Sequence, residues 1–286
     1  MRSSIVLVLY LASVLSAEPL SPRLANIIPS DARSVIGLDF TRYQHSTLRM
    51  LYPALLEGGL AEALGSEGVQ QVRQVVVVER SADSGRGSLT ILRVSGPLAI
   101  ASDSALADSG PNGVVALLDA STAVVGDPGS VQDAVERWNH PSDESEVAAM
   151  SRRMSESYDN WFVAIRPMEG AALTPAGAGN LKYRAAFAGL VEDVSGGIRI
   201  GGVDELRADV TLKSADDALA AAALARWLPG LIQMKSPGSL ESDLADLAEN
   251  VKVVTAGQTV SVSFVLDEAK LEILAKSRAR ANNPEW

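Results

Sequence analysis

The sequence contains no cysteine in 286 residues, and this absence excludes several kinds of chemistry. Without a thiol the chain cannot form a disulfide, hold an iron–sulfur centre, offer a thiolate nucleophile or bind zinc through sulfur. Only two histidines are present, so a three-histidine zinc site is impossible, although carboxylates could complete a site around them. We therefore predict that the protein has no cofactor and no metal-ligating residues.

Positive charge is scarce as well. There are 25 Lys and Arg against 35 Asp and Glu, which gives a net charge of -10. A nucleic-acid-binding protein needs a basic surface, and anionic lipids repel an acidic one. Because 47% of the residues are hydrophobic, the chain can still bury a core and is not expected to be disordered. The predicted partners therefore exclude nucleic acid.

No apolar run is long enough to span a membrane, and a short one stands at the N-terminus. A basic start is followed by apolar residues over 5–15 and then by Ser16 and Ala17. This pattern is typical of a secretory signal peptide, and the run is about half of the ~20 residues that a membrane-spanning helix needs. We predict a signal peptide over 1–17, cleaved after Ser16 or after Ala17, and a soluble, periplasmic or secreted protein without a stable membrane anchor. A buried N-terminal helix is the alternative.

Hydrophobic periodicity and turn residues predict the elements of the first half. A strand is followed by a helix with apolar residues between 48 and 56, then by two strands, a loop, a hairpin and a helix. Asp127 and Pro128 are suited to begin that last helix as cap and first residue. The predicted strands are 34–40, 69–80, 87–94, 114–118 and 122–125, and the loop is 97–112. In the first strand, Ile36, Leu38 and Phe40 share one face.

The second half repeats this order. A strand is followed by a helix over 181–190, a hairpin, a long helix capped at 214–217 and kinked at Pro229, a second hairpin, and a helix capped by Asp267. Residues 206–212 alternate between apolar and polar side chains and form the cleanest half-buried strand of the chain. The predicted strands are 160–166, 194–200, 206–212, 251–255 and 259–266.

These elements predict an α+β fold with two similar halves, each an antiparallel sheet of hairpins with helices packed on one face. We expect a first repeat over 18–140, a bridging helix over 141–158 and a second repeat over 159–286. The pattern leaves open whether the two sheets are separate or continuous. The oligomeric state is likewise open.

Three segments carry a resemblance to other proteins. Residues 28–39, 125–134 and 158–163 resemble segments of uncharacterised exported bacterial proteins of unknown function. In those proteins a strand ending in Gly-Asp precedes a short helix, and a Trp-containing strand begins the second half. The resemblance implies a two-repeat α+β fold and brings no activity, cofactor or catalytic residue with it.

No constellation of residues specifies a catalytic site. His45 and His140 are expected on the surface at helix boundaries, and no nucleophile elbow or phosphate-binding glycine loop is present. Gly196-Gly197 and Gly201-Gly202 are interpreted as hairpin glycines. The remaining candidates are acidic residues interpreted as solvated helix faces and tryptophans interpreted as packing residues, namely Asp143, Glu144, Glu146, Glu241, Asp243, Asp246, Glu249, Trp138, Trp161 and Trp227. We predict no catalytic, cofactor-binding or metal residues.

Three functions are compatible with these observations. The favoured prediction is a non-enzymatic binding or interaction protein of the cell envelope, because catalytic clusters are lacking and the repeated sheets offer broad surfaces. The alternative is a periplasmic carrier of a hydrophobic ligand, lined by the apolar helix over 218–231 and the valine-rich strands. A hydrolase with a site assembled from scattered residues is the third. The expected partner is an envelope protein or an apolar ligand.

Overall fold

The computed structural model of the chain describes residues 18–41, 71–80, 87–97, 106–108, 113–165, 190–199, 204–223, 225 and 251–266. In these residues eleven strands form one sheet, and every neighbouring pair of strands is antiparallel. The two halves therefore share a single continuous sheet, the point that the sequence left open. The α+β class is confirmed.

The strand order across the sheet is β10-β11-β9-β8-β7-β1-β2-β3-β6-β5-β4. At its centre β1 pairs with β7, with Val35 opposite Val163 and Gly37 opposite Trp161. The strands are β1 (Ala32–Asp39), β2 (Val72–Arg80), β3 (Leu89–Val94), β4 (Leu106–Asp108), β5 (Val114–Asp119), β6 (Thr122–Gly126), β7 (Asn160–Ile165), β8 (Val191–Arg199), β9 (Asp204–Leu212), β10 (Lys252–Ala256) and β11 (Thr259–Leu266).

Four helices belong to the described residues: α1 (Pro22–Ala25), α2 (Pro128–Asn139), α3 (Glu146–Ser157) and α4 (215–223). Each begins at a side-chain cap that accepts a hydrogen bond from the backbone N–H three residues later, which satisfies one of the free amides of the first turn. The four capping residues are Ser21, Asp127, Ser145 and Ser214.

The sheet has two faces that are covered differently. Paired residues of antiparallel strands point to the same side, and successive residues alternate between sides. On one side Val35, Val76 and Val124 pack in one core with Val131 of α2 and Val147 of α3. We name this side the α2/α3 face. It also buries the N-terminal segment, including Leu20, Leu24, Ile27 and Ile28.

The opposite side, the α4 face, carries a second core at the β8–β11 end of the sheet. Ala218 and Ala222 of α4 pack there against Val194, Leu212 and Val260. Helices thus lie on both sides of the continuous sheet, with α2 of the first half on one side and α4 of the second half on the other. The reason is visible in β8, where four consecutive residues, 194–197, are buried and therefore require cover on both sides.

Several boundaries differ from the sequence prediction. The short strand β4 lies inside the predicted loop 97–112, and α3 begins at Glu146 after its cap Ser145, within the predicted bridging helix 141–158. Gly196 and Gly197 lie within β8 rather than in a turn. The signal peptide, the helices near 48–56 and 181–190, the kink at Pro229, Gly201-Gly202 and the Asp267-capped helix fall outside the described residues.

None of the helices within the described ranges combines the length and the apolar character needed to span a membrane.

Candidate binding face

Arg80 is a buried charged side chain that forms two ion pairs. Its guanidinium contacts the carboxylates of Asp31 and Asp133, each at 2.9 Å, and so ties β2 to the N-terminal segment and to α2. Burial disfavours its charge, but the two carboxylates outweigh this and raise the pKa of Arg80 above its usual value. All three groups are engaged with one another, so the cluster stabilises the fold.

Asp127 fixes the start of α2. Its carboxylate accepts hydrogen bonds from the backbone N–H of Ser130 at 3.1 Å and of Gly87 at 2.8 Å. Burial alone would raise the pKa of Asp127, yet these hydrogen bonds stabilise the anion and lower it. The sequence correctly predicts Asp127 as the cap, and the structure adds its contact with Gly87, two residues before β3 begins.

The α2/α3 face becomes polar at the β8–β11 end. Arg207 donates to Asp209 at 3.0 Å and to Ser261 at 3.1 Å, across β9 and β11. Asp193 on β8 lies on the same face. Its partial burial, together with the charges of Glu146 and Glu192, raises its pKa, although a hydrogen bond with Thr211 opposes this.

Several of the candidate histidine, acidic and tryptophan residues named from the sequence lie within the described residues. His140 is the exposed residue that ends α2, and Glu144 pairs with Arg152 at 3.0 Å. Trp138 is buried beneath Arg23, whose guanidinium lies 3.7 Å from the centroid of its ring. Trp161 is buried against Gly37. His45, Trp227 and the acidic residues 241–249 lie outside the described ranges.

Metal binding gains no support from the described ranges, in which no group of three or more histidine, aspartate and glutamate side chains is placed to hold an ion.

The apolar strip, as we name it, is the most distinctive surface. It consists of the apolar side chains that β1, β2, β3, β6 and β5 direct to the α4 face, placed there by the strand registers. Its members are Ile36, Leu38, Val75, Val77, Leu92, Val115, Leu117, Ala123 and Val125. Helix α4 packs at the other end of this face, and α2 and α3 pack on the opposite side.

The apolar strip is partly exposed to solvent. Val75 and Leu92 are buried, whereas Ile36 on β1 is 41% exposed and Leu117 on β5 is 47% exposed. Four strand spacings separate β1 from β5, which places these two side chains about 19 Å apart across the sheet. Exposed apolar side chains such as Ile36 and Leu117 are able to contact another apolar surface.

Sequence reasoning did not find this strip. The alternation in β1 correctly groups Ile36 and Leu38 on one face, but Val35 on the other face is the residue buried in the main core. The residue that could have indicated the buried face is Gly37, because its missing side chain leaves room for the ring of Trp161. Because glycine has no side chain, it does not count as apolar in a hydrophobic pattern. The face of β1 that contains Val35 and Gly37 therefore has fewer apolar residues in the sequence than the face that contains Ile36 and Leu38, although it is the more buried one.

Comparison with known proteins gives a likeness of fold. No protein-family model and no curated protein matches the chain. Two solved structures of TP0453 are similar to it. Crystal form III has a TM-score of 0.50 at 10% identity, and crystal form I has a TM-score of 0.45 at 8% identity. Each alignment covers 92% of this chain and 99% of TP0453. At such identity the likeness concerns the fold alone.

Proposed function

We propose that this chain is an exported, non-enzymatic protein of the cell envelope that binds a protein partner through the apolar strip. The observation that carries the proposal is the joint exposure of Ile36 and Leu117 on one face of the sheet. Large apolar side chains exposed on the same face of a sheet can mark an interaction site, and here they stand at the two ends of a row whose middle members, Val75, Leu92 and Ala123, are buried. Binding would remove this area from water, at roughly 25 cal/mol for each Å².

Polar side chains next to the apolar strip are compatible with the binding of a protein partner. Beside Ile36, the Ser34 hydroxyl donates to the Glu79 carboxylate at 2.7 Å, and this exposed pair forms a polar border. An apolar centre with a polar, hydrated rim is the usual anatomy of a protein interface. The strip also continues along strands of one rigid sheet, so little ordering would accompany binding.

Export is supported by the N-terminal pattern of a basic residue, a short apolar run and small residues before Glu18. The absence of cysteine fits an oxidising compartment, and a chain of this size can bury a core without disulfides.

A duplicated architecture supports the two-repeat part of the proposal. Outward from the centre, the strands run β1-β2-β3-β6-β5 on one side and β7-β8-β9-β11-β10 on the other. This is the same order of five strands, with the last hairpin reversed in both. On this basis we assign 18–140 and 159–286 to two related repeats, with α3 between them packing on β1, β7 and β8.

An apolar small molecule is the alternative occupant, because the same strip could line a site for a lipid chain. The observation in its favour is that the middle of the strip, formed by Val75, Leu92 and Ala123, is buried, whereas Ile36 and Leu117 at its ends are exposed. Exposed apolar side chains next to a buried apolar surface could contact a lipid chain. A carrier would hold its ligand through purification, whereas a protein-binding surface would not.

Site-specific photo-crosslinking in cells tests the proposal. A photo-reactive amino acid at position 117 should give one discrete protein adduct, which Ile36→Ser weakens. The matched control is position 254, since Val254 is likewise an exposed apolar residue of a β-strand, 60% exposed, but lies on the other face of the sheet. Equal adducts at both positions, or none at 117, would reject a partner bound at the strip.

Native mass spectrometry of the purified protein separates the two occupants. A ligand-free species together with a protein adduct at position 117 supports the protein partner. A retained lipid mass that Leu117→Ser removes and Val254→Ser preserves supports the carrier instead.

A further inference from the structure

Glu18 is held by three neighbouring strands. Its backbone N–H donates to Asp39 Oδ2 of β1 at 3.1 Å, and its carbonyl accepts from Gln74 Nε2 of β2 at 3.3 Å. Its side-chain carboxylate pairs with Arg93 of β3 at 2.7 Å. Every polar group of this one residue is therefore bound by a different strand.

The residues that follow Glu18 belong to the folded body. The Leu20 N–H donates to the Ser155 hydroxyl of α3 at 2.8 Å, and the Leu20 side chain is fully buried in the main core. Asp31, at the end of this segment, pairs with Arg80. Removal of residues beyond this point would break the core, so the first residue that the fold requires is at or near Glu18.

Asp39 is a carboxylate in an unusual position. It is 3% exposed and accepts hydrogen bonds from the Thr41 N–H, the Thr41 hydroxyl and the Glu18 N–H, all of which are neutral donors. Among the ion pairs found in the described residues, none includes Asp39. Burial of a carboxylate without a counter-charge is costly, so the site is suited to a cation.

Gln74 provides a second acceptor at the same place. Its Nε2 contacts the Glu18 carbonyl, while its Oε1 is buried with no hydrogen-bond donor among the described residues. A buried acceptor of this kind usually has a partner in the functional form of a protein. A group at Glu18 with more than one N–H could therefore satisfy both Asp39 and Gln74.

We propose that the bond between Ala17 and Glu18 is the one cleaved during export, and that the new α-ammonium of Glu18 forms an ion pair with the buried carboxylate of Asp39. The proposal rests on the export part of the proposed function. It also chooses between the two cleavage points, Ser16 and Ala17, that the sequence left open.

The chemistry is hydrolysis by a signal-peptide-cleaving peptidase. One water adds across the amide: the C–N bond breaks, Ala17 keeps the new carboxylate, and the nitrogen of Glu18 becomes an amine that is protonated at neutral pH. The neutral amide with one N–H is replaced by a cation with three, in the place where a buried carboxylate already accepts a bond. Cleavage after Ser16 would put the charge one residue away and leave a neutral amide at Asp39.

The first experiment identifies the N-terminus. The full-length chain is expressed with its N-terminal segment in cells that export it, and intact mass and N-terminal sequencing are measured. The expected product begins at Glu18. A product that begins at Ala17, or at any residue after Glu18, overturns the assignment of the cleavage point.

The second experiment measures the ion pair without relying on export. A fusion protein is cleaved to release the chain starting at Glu18, and acylation of its α-amine is compared with that in Asp39→Asn and in the chain starting at Ala17. The pairing should slow acylation about tenfold near neutral pH, because it holds the proton on the amine. Asp119→Asn, which removes an exposed carboxylate at a hairpin turn, is the control and should leave the rate unchanged.

The outcomes separate the two proposals. Equal acylation rates in the Glu18 chain and in a folded Asp39→Asn variant, judged by circular dichroism, overturn the ion pair. If Asp39→Asn does not fold, the comparison with the Ala17 chain decides instead. An uncleaved chain in the first experiment overturns export and the cleavage site, while the rate measurement still decides whether a terminal amine at Glu18 pairs with Asp39.

Discussion

Two glycines near the centre of the sheet allow large aromatic side chains to pack closely against the backbone of neighbouring strands. Gly37 on β1 admits the indole ring of Trp161 on β7, and Gly197 on β8 admits the side chain of Tyr158. Sequence patterns could not predict these contacts, because a glycine has no side chain to mark its face. Gly196 and Gly197, interpreted from the sequence as hairpin glycines, both lie within the buried part of β8.

Substitution of Gly37 tests how tightly this centre is packed. A methyl group at position 37 would overlap the ring of Trp161, so Gly37→Ala should lower the free energy of unfolding by about 1–3 kcal/mol. Urea unfolding followed by circular dichroism measures this. Gly96→Ala is the control, since its methyl group would meet Gln71 at an ordinary contact distance, and equal losses in the two variants would contradict the prediction.

Asp193 should destabilise the protein at neutral pH. Partial burial and its acidic neighbours raise its pKa in the folded state above that in the unfolded state. Its favourable contribution is therefore present at low pH and is lost as the pH rises through the folded pKa. Asp193→Asn should raise the urea midpoint at about pH 7, with a smaller gain near about pH 3.

Asp209 on the same face provides the contrast for this experiment. It accepts a hydrogen bond from Arg207 at 3.0 Å, so its charge has a partner. Asp209→Asn should lower the urea midpoint or leave it unchanged at neutral pH. A stabilisation of equal size in both variants would indicate general relief of the negative charge of the chain rather than an effect local to Asp193.

The sequence predicts best those helices and strands that are marked by capping residues, turn residues or a regular hydrophobic period. The β5–β6 hairpin, the cap at Asp127, the cap at Ser214 and the strand β9 are all confirmed. The strand β4 has only three residues, too short to show a period, and β2 contains four successive valines that do not reveal which face is buried. The apolar strip was missed because its composition depends on strand register rather than on local pattern.

The contribution of the α2 cap, Asp127, to the free energy of unfolding should decrease at acidic pH. Hydrogen bonds lower the pKa of Asp127 in the folded state, so its contribution is complete above the unfolded value near 3.8 and is lost as the pH falls through the folded value. Asp127→Asn keeps a capping side chain without the charge. The stability of wild type minus that of the variant, from urea titrations, should shrink between about pH 5 and about pH 3. A difference independent of pH would contradict this.

At the scale of the whole molecule, the two halves should behave as one cooperative unit. The hydrogen bonds between β1 and β7 join them, and α3 packs on strands from both sides of this junction. Amide hydrogen exchange should give the same opening free energy for Ile91 in β3 and for Val210 in β9. A clearly lower value for Val210 would show that the second half opens independently.

The order in which a ribosome makes the chain gives the central pairing a further consequence. The Leu20 N–H and the Ser155 hydroxyl that bind each other are 135 residues apart in sequence, and the partner of β1 on that side, β7, begins only at Asn160. Until the second half has emerged, one edge of β1 offers unpaired backbone groups beside the exposed side chain of Ile36. Long-range pairing of this kind is slow, and an open strand edge is where chains join one another. Synthesis of the chain without interruption would shorten that interval, whereas a pause between the halves would favour aggregation.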